Sequence, residues 1–241
     1  METVVKAQAK EAVVEALHIK RPRDVRFWIA IAVLVAGAVA FGIIALSVAS
    51  SSPILKQEMQ VSVYLHTHGS PAFSAILLAI TQLHSPVGLA GLALIVAFYL
   101  WRHGDKFWVW SLALALGGGM ILNTMLKFAF GRARPTWDDP LLTTLTSQSF
   151  PSGHTSGATL FYGFLAAYMV WRMKNSAARI LALMACAIMV AVVGFSRIYL
   201  GAHYVSDVLG AVSLSTAWLV FSLILVREIA KRRSGSAPAA V

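Results

Sequence analysis

The residues best suited to chemistry in this 241-residue chain begin with three cations placed close together, Lys127, Arg132 and Arg134. They follow a long apolar stretch, and Pro135 comes directly after them and ends the helical tendency. Ionisable groups at the boundary of such a stretch cost free energy, so the cluster predicts a functional site. An arginine can clamp oxyanion oxygens with its planar fork, and a lysine can serve as a point charge. The cluster is therefore suited to an anion.

A second segment, Pro151-Ser152-Gly153-His154, lies just before another apolar stretch. A turn of this composition that enters a helix exposes backbone N–H groups and the positive end of the helix dipole. Both features favour an anion such as phosphate. The segment therefore predicts an anion site at a helix N-terminus.

A third segment contains Arg197, His203 and Asp207. If a helix begins near residue 202, His203 and Asp207 lie four residues apart on one face of it. The carboxylate can then hold one ring nitrogen of the imidazole and leave the other free to attack. Taken alone, the two residues are equally consistent with a surface ion pair of little energetic value.

Together, the three segments indicate phosphoryl transfer, in which catalysis is largely positioning plus stabilisation of charge on the phosphate oxygens. The acids predicted on the same side of the membrane are Glu58, Asp138, Asp139 and Asp207, and they do not form the carboxylate cluster that magnesium or calcium needs. Two histidines alone make a poor zinc site. We therefore expect a histidine nucleophile and a mechanism without a metal or other cofactor.

The order and spacing of these segments resemble the signature of the type 2 phosphatidic acid phosphatase (PAP2) superfamily, which is K-x6-R-P, P-S-G-H and S-R-x5-H-x3-D. The first part runs here from Lys127 to Arg134-Pro135, and the second is residues 151–154. The third runs from Ser196-Arg197 through His203 to Asp207. All three parts match without a departure, and together they span residues 127–207.

The resemblance implies a role for each residue of the signature. His203 is expected to be the nucleophile that forms a phosphohistidine, with Asp207 as its orienting and activating partner. His154 is expected to protonate the leaving oxygen and then to activate the hydrolytic water. The groups expected to hold the phosphate are Lys127, Arg134, Ser152, the backbone N–H of Gly153, and Arg197. Arg132 lies outside the strict signature and is expected to support these residues from behind.

The elements that position these segments are predicted to be transmembrane helices. The chain is 58% hydrophobic and only 12% charged, whereas a typical soluble domain contains about 25% charged residues. Besides six long apolar stretches, the chain has a seventh, residues 72–83, which is short and ends before Pro86. This shorter stretch predicts either an interfacial or half-inserted helix or a kinked start of the second transmembrane helix. We therefore expect an all-α polytopic membrane protein with one short interfacial helix and six transmembrane helices, at residues 27–49, 85–101, 107–126, 155–171, 180–195 and 208–226.

The net charge of +10 would suggest nucleic acid in a soluble protein, but here membrane topology explains it better. If six spans alternate, fifteen of the twenty Lys and Arg residues fall on one side, and the positive-inside rule makes that side cytoplasmic. We therefore expect an inner-membrane protein with both termini in the cytoplasm and the site facing outward. The expected organisation is an amphipathic cytoplasmic segment (1–26), a membrane domain (27–228) and a basic cytoplasmic tail (229–241).

The predicted function is hydrolysis of the phosphate or diphosphate head of a lipid that stays in the bilayer. The motifs leave three substrates open, namely undecaprenyl diphosphate, phosphatidylglycerophosphate and phosphatidic acid. A lipid phosphotransferase with the same phosphohistidine is the first alternative, and a non-enzymatic phosphate or phospholipid transporter is a less favoured one.

Several residues outside the signature have simpler interpretations. Residues 58–70 and 72–83 are expected to shape the access of the lipid. We interpret His66, His68 and His84 as ordinary residues of outer loops or the membrane interface, not as a second metal site. The glycines at 117–119 predict close packing between helices.

Overall fold

The computed structural model describes residues 25–50, 54–136 and 147–235, and within these ranges all regular secondary structure is helical. The helices are α1 (Val25–Ala49), α2 (Ile54–Thr67), α3 (Pro71–Leu83), α4 (Pro86–Arg102), α5 (Lys106–Phe130, which contains a π-helical segment at Ala113–Gly118), α6 (Gly153–Arg172), α7 (Ser176–Tyr199) and α8 (Val205–Gly235). The chain divides into two compact units, Met1–Ala32 and Val33–Val241, and all contacts discussed below lie within the second. The predicted all-α class is confirmed.

Four of the described helices are long and apolar enough to cross a membrane, namely α1, α5, α7 and the Val205–Arg232 part of α8. The pair formed by α3 and α4, bent by 55°, would be a fifth span if the two helices cross together. All six predicted spans coincide with helices, but the count of six stays a prediction. Many large apolar side chains on these helices are exposed, as lipid-facing surfaces require.

Helix α6 is not among the helices that are apolar enough to cross a membrane, although it has 20 residues. Its first half is rich in small and polar residues that are buried between neighbouring helices, including Thr155, Ser156 and Gly157. A Cβ on Gly157 would lie 2.4 Å from Leu89 Cδ2, so the glycine allows α4 to approach closely. Helix α6 packs against both α7 and α8, which makes it central to the fold.

Two of the three glycines at 117–119 pack closely against other helices, as predicted, whereas a Cβ on Gly117 would have no neighbour within 4 Å. A Cβ on Gly118 would lie 2.6 Å from Trp218 Cζ2, and one on Gly119 would lie 2.5 Å from Leu160 Cδ1. The indole Nε1 of Trp218 also donates hydrogen bonds to the carbonyls of Leu114 and Ala115, at 3.2 and 3.1 Å, within the π-helical segment. Close packing and a side-chain donor therefore accommodate the irregular turn.

The helical conformation is interrupted between α3 and α4, at His84 and Ser85. The Ser85 hydroxyl accepts the N–H of Gly88 at 3.3 Å and so caps α4, whose first residue is Pro86. The predicted stretch 72–83 is therefore a separate helix with a sharp bend after it. The bent geometry fits either a broken span or a re-entrant segment.

Some predicted segments differ from the structure or lie outside it. Residues 58–70, predicted only as an outer segment, include most of α2, whose mixed polar and apolar residues lack a strong periodic signal. The predicted tail 229–241 is helical as far as Gly235, because α8 continues through it. Residues 1–24 of the predicted amphipathic segment and residues 236–241 of the tail lie outside the described residues.

Candidate active site

The three signature segments meet where the ends of α5 and α7 approach the beginnings of α6 and α8. Helix α5 ends at Gly131, which adopts a left-handed conformation (φ 57°) and donates its N–H to the carbonyl of Lys127 at 3.0 Å. This turn directs the chain so that Arg132 and Arg134 extend toward the start of α8. A residue with a Cβ would be strained at this position.

The second segment is held by an aromatic side chain. Phe150 is fully buried, with its ring stacked on Phe41 at 5.8 Å and edge-on to Phe130 at 4.9 Å between ring centroids. The backbone N–H of Ser152 donates to the carbonyl of Asp207 at 3.1 Å. The turn that begins α6 is therefore fastened to the first turn of α8.

The third segment folds back on itself after α7. Gly201 (φ 67°) provides the turn, and the N–H groups of Ala202 and His203 both donate to the carbonyl of Arg197, at 3.0 and 3.1 Å. His203 is thereby held beside Arg197 although five residues lie between them in the chain. The five-residue spacing between Arg197 and His203 in the signature therefore corresponds to one tight turn.

His203 and Asp207 form the predicted pair. Imidazole Nδ1 lies 3.3 Å from Asp207 Oδ2, and both side chains are buried. The same oxygen accepts the N–H of Tyr204 at 2.9 Å and a short hydrogen bond from the Ser149 hydroxyl. Because a carboxylate oxygen only accepts, this geometry places the imidazole proton on Nδ1.

The other ring nitrogen of His203, Nε2, lies 3.1 Å from Arg134 Nη1. A guanidinium can only donate, so Nε2 carries a lone pair. Burial lowers the pKa of the His203 imidazole from 6.5 to about 3, and the cations of Arg134 and Arg197 add to the shift, whereas Asp207 opposes it. The imidazole is therefore neutral near pH 7, and its lone pair lies beside a cation.

Three cations of the site have oxygen partners without formal charge. Arg134 donates to the carbonyls of Ser147 (2.7 Å) and Ala202 (2.8 Å), and Lys127 Nζ donates to the carbonyl of Gln148. Arg197 Nη1 donates to the Thr81 hydroxyl at 2.6 Å, and among the described residues its buried Nε has no hydrogen-bond partner. Within the same residues none of the three makes an ion pair with a carboxylate. Such a set is suited to a multiply charged oxyanion.

Arg132 differs from the other cations because it is paired. Its Nη1 lies 2.6 Å from Asp207 Oδ1, its Nη2 lies 3.1 Å from Glu58 Oε2, and its guanidinium lies 4.2 Å from the ring centroid of Tyr204. The supporting role of Arg132 stays a prediction.

A cavity of about 250 Å³ lies at the junction of these segments. Lys127, Arg134, Gly153, His154 and His203 are among the residues that line it. The other predicted site residues are not among the lining residues: Ser152, Arg197 and Asp207 are buried, and Arg132 is half-buried.

The family model of the PAP2 superfamily matches residues 108–231, which is more than half of the chain. The chain belongs to the PAP2 superfamily. Phosphatidylglycerophosphatase B of Bacillus subtilis (strain 168) is 31% identical over 155 residues, which are 64% of this chain and 74% of that protein.

Two crystal structures resemble the fold of this PAP2 protein. The first transmembrane PAP2-type phosphatidylglycerolphosphate phosphatase from Bacillus subtilis gives a TM-score of 0.69 at 26% identity, with 80% of this chain and 96% of that chain covered. Aquifex aeolicus LpxE gives a TM-score of 0.55 at 21% identity over 68% and 93% of the two chains, which shows a shared fold. The protein is therefore a membrane hydrolase of the lipid phosphatase type.

Sequence reasoning missed several residues around the PAP2 signature. His84 was interpreted as an ordinary loop or interfacial residue, but it is buried and lines the cavity. Its Nδ1 donates to the Ile80 carbonyl at 2.7 Å, so in the neutral ring Nε2 accepts the Tyr162 hydroxyl at 2.8 Å. Ser149 contacts Asp207, and Thr81 contacts Arg197. No spacing in the sequence indicates either contact. The side chain of His66 lies outside the described residues, and His68 is exposed.

In the part of the chain that the structure describes, no group of three or more His, Cys, Asp or Glu side chains is arranged to hold a metal ion. Asp138 and Asp139 lie outside that part. Independence from metals stays a prediction that an activity assay must test.

Proposed function

We propose that this protein hydrolyses the phosphate or diphosphate head of a membrane lipid through a phosphohistidine formed on Nε2 of His203. The observation that carries the proposal is the orientation of the imidazole. Nδ1 faces Asp207, and Nε2 faces Arg134 at 3.1 Å within the lining of the cavity. A phosphate bound by Arg134 would therefore lie beside the attacking lone pair.

In the first step, Nε2 of His203 attacks phosphorus and the bond from phosphorus to the lipid oxygen breaks. His154 reacts in its protonated form and gives its proton to that oxygen, and Asp207 stabilises the positive imidazole ring of His203 through Nδ1. In the second step, water attacks the phosphohistidine while His154 takes a proton from it, and the N–P bond breaks to release inorganic phosphate. The groups that would hold the phosphate oxygens are Lys127, Arg134, Ser152, the Gly153 N–H and Arg197.

Phosphatidylglycerophosphate is the substrate that we place first, because the curated relative at 31% identity is a phosphatidylglycerophosphatase. Phosphatidic acid and undecaprenyl diphosphate are the other candidates. Phosphate release by the purified protein should be measured with each lipid, for the wild type and His203→Ala. If folded His203→Ala releases phosphate at the wild-type rate, the proposed nucleophile is wrong.

Two further measurements test the reaction. Activity should survive excess EDTA, and complete loss restored by zinc or magnesium would overturn the metal-free mechanism. Water should be the acceptor, so phosphate should appear in amounts equal to the dephosphorylated lipid. A phosphorylated acceptor in place of free phosphate would show a phosphotransferase.

We also propose that both termini are cytoplasmic and that the site faces the outside of the inner membrane. The distribution of Lys and Arg supports this orientation. A membrane-impermeant thiol reagent should label Thr144→Cys in intact cells and should label Lys174→Cys, on the exposed turn between α6 and α7, only after lysis. The reverse pattern would overturn the orientation.

A further inference from the structure

Glu58 is a buried carboxylate that lies next to the catalytic pair but outside the PAP2 signature. It extends from α2 to the first turn of α8. Its Oε1 accepts the backbone N–H of Ser206 at 2.9 Å, and its Oε2 accepts the Ser206 hydroxyl at 2.8 Å. Both oxygens are therefore satisfied, and the carboxylate caps the N-terminus of the helix that carries Asp207.

The same carboxylate shares a cation with Asp207. Arg132 Nη2 donates to Glu58 Oε2 at 3.1 Å, and its Nη1 donates to Asp207 Oδ1 at 2.6 Å and to the Ser206 hydroxyl at 2.7 Å. The guanidinium also packs on the ring of Tyr204. Its plane is thus fixed by one contact on its face and by carboxylates on two of its nitrogens.

We propose that Glu58 is a positioning residue for the His203–Asp207 pair and that it acts through Arg132. This inference rests on the proposed function. With Glu58 in place, Arg132 divides its charge between two carboxylates and holds Asp207 by Oδ1 alone, so that Oδ2 stays directed at the imidazole.

Loss of the Glu58 charge would direct the full charge of Arg132 at Asp207 and would free the guanidinium to rotate. Both changes weaken the stabilisation of the positive imidazole that forms when Nε2 attacks. Lys127, Arg134 and Arg197 are the groups proposed to hold the phosphate, and in the described structure none of them makes a hydrogen bond or ion pair with Glu58. The effect should therefore fall on kcat, and KM should change little.

The first test compares Glu58→Gln with Glu58→Asp in the purified full-length protein. Glu58→Gln keeps the shape but loses the charge, and we expect kcat to fall about tenfold or more with KM within about threefold, the scale of outer-shell histidine partners. Glu58→Asp keeps the charge, and its kcat should lie between that of the wild type and that of Glu58→Gln. The matched control is Glu228→Gln, which removes an exposed carboxylate 3.1 Å from Lys231 and should behave as the wild type.

The second test asks whether the effect passes through Arg132. If it does, adding Glu58→Gln to Arg132→Gln should lower kcat little further, whereas independent effects would multiply. The inference would be overturned if the two substitutions lowered kcat by the product of their single effects. It would also be overturned if Glu58→Gln left kcat unchanged or raised KM alone. If Glu58→Gln does not fold, as judged by thermal denaturation in the same detergent, an unchanged kcat in Arg132→Gln overturns it, because Glu58 is proposed to act through Arg132.

Failure of this inference can be separated from failure of the proposed function. An active His203→Ala would remove the basis for both. An inactive His203→Ala together with a fully active Glu58→Gln would leave the proposed function intact and would show that Glu58 has no positioning role.

Discussion

Replacement of Asp207 by asparagine is the change that most directly tests the geometry of the site. Asp207 accepts hydrogen bonds at both oxygens, from Arg132 at Oδ1 and from His203, Tyr204 and Ser149 at Oδ2. An amide has one oxygen, so it cannot satisfy both sets of donors. Arg132 has a second carboxylate partner in Glu58, so the loss of the charge does not leave the cation unpaired.

The magnitude follows from the two ways in which the amide can lie. If its NH2 group faces the imidazole, it donates to Nδ1, which moves the ring proton to Nε2 and removes the attacking lone pair. If its oxygen faces the imidazole, its NH2 group opposes Arg132 and the imidazolium loses its counter-charge. Either arrangement should lower kcat by about 10⁴-fold, as a wrong tautomer does in a catalytic triad. This factor corresponds to about 5.4 kcal/mol of activation free energy.

The assay is phosphate release from a saturating lipid phosphate by purified, detergent-solubilised protein. The control is Asp105→Asn, which makes the same chemical change at the N-cap of α5, where Asp105 accepts the Tyr168 hydroxyl at 3.1 Å. The control should keep at least half of the wild-type rate. Correctly folded Asp207→Asn with more than about a tenth of the wild-type kcat would refute the assigned tautomer and the role of the carboxylate.

Further predictions concern other parts of the molecule. Arg134→Lys should lower kcat/KM about 100-fold, because a lysine cannot reproduce the guanidinium contacts; a loss below threefold would contradict this. Gly119→Val should lower the free energy of unfolding by about 1–3 kcal/mol, because its Cβ would lie 2.5 Å from Leu160 Cδ1. The control is Gly117→Ala, whose Cβ would have no neighbour within 4 Å, so this variant should not be destabilised. Equal melting temperatures for the two variants would refute this prediction. The unfolded chain protonates the imidazole of His203 below about pH 6.5 and the folded chain only near pH 3, so stability should fall as pH falls through this window by at most about 1.4 kcal/mol per unit. His203→Gln should flatten that part of the dependence of the melting temperature on pH, and an unchanged slope would contradict the lowered pKa.

Several features of the fold and the site were predictable because they depend on local sequence. Apolar length predicts where helices lie, and each predicted span coincides with a helix. The signature residues are close together in the fold because turns at Gly131 and Gly201 and the start of α6 bring them there. Helix α2 was not predicted, because its mixed composition lacks a long apolar run.

The sequence by itself determined that the chain is an α-helical membrane protein, and it predicted which residues carry phosphate chemistry, because hydrophobic length and short motif spacing are local properties. Only the tertiary structure decided which groups complete the site. Glu58 reaches Arg132 across 74 residues of the chain, Thr81 reaches Arg197 across 116, and His84 reaches Tyr162 across 78. Such contacts depend on how helices pack, and a buried carboxylate or histidine has no local pattern that names its partner.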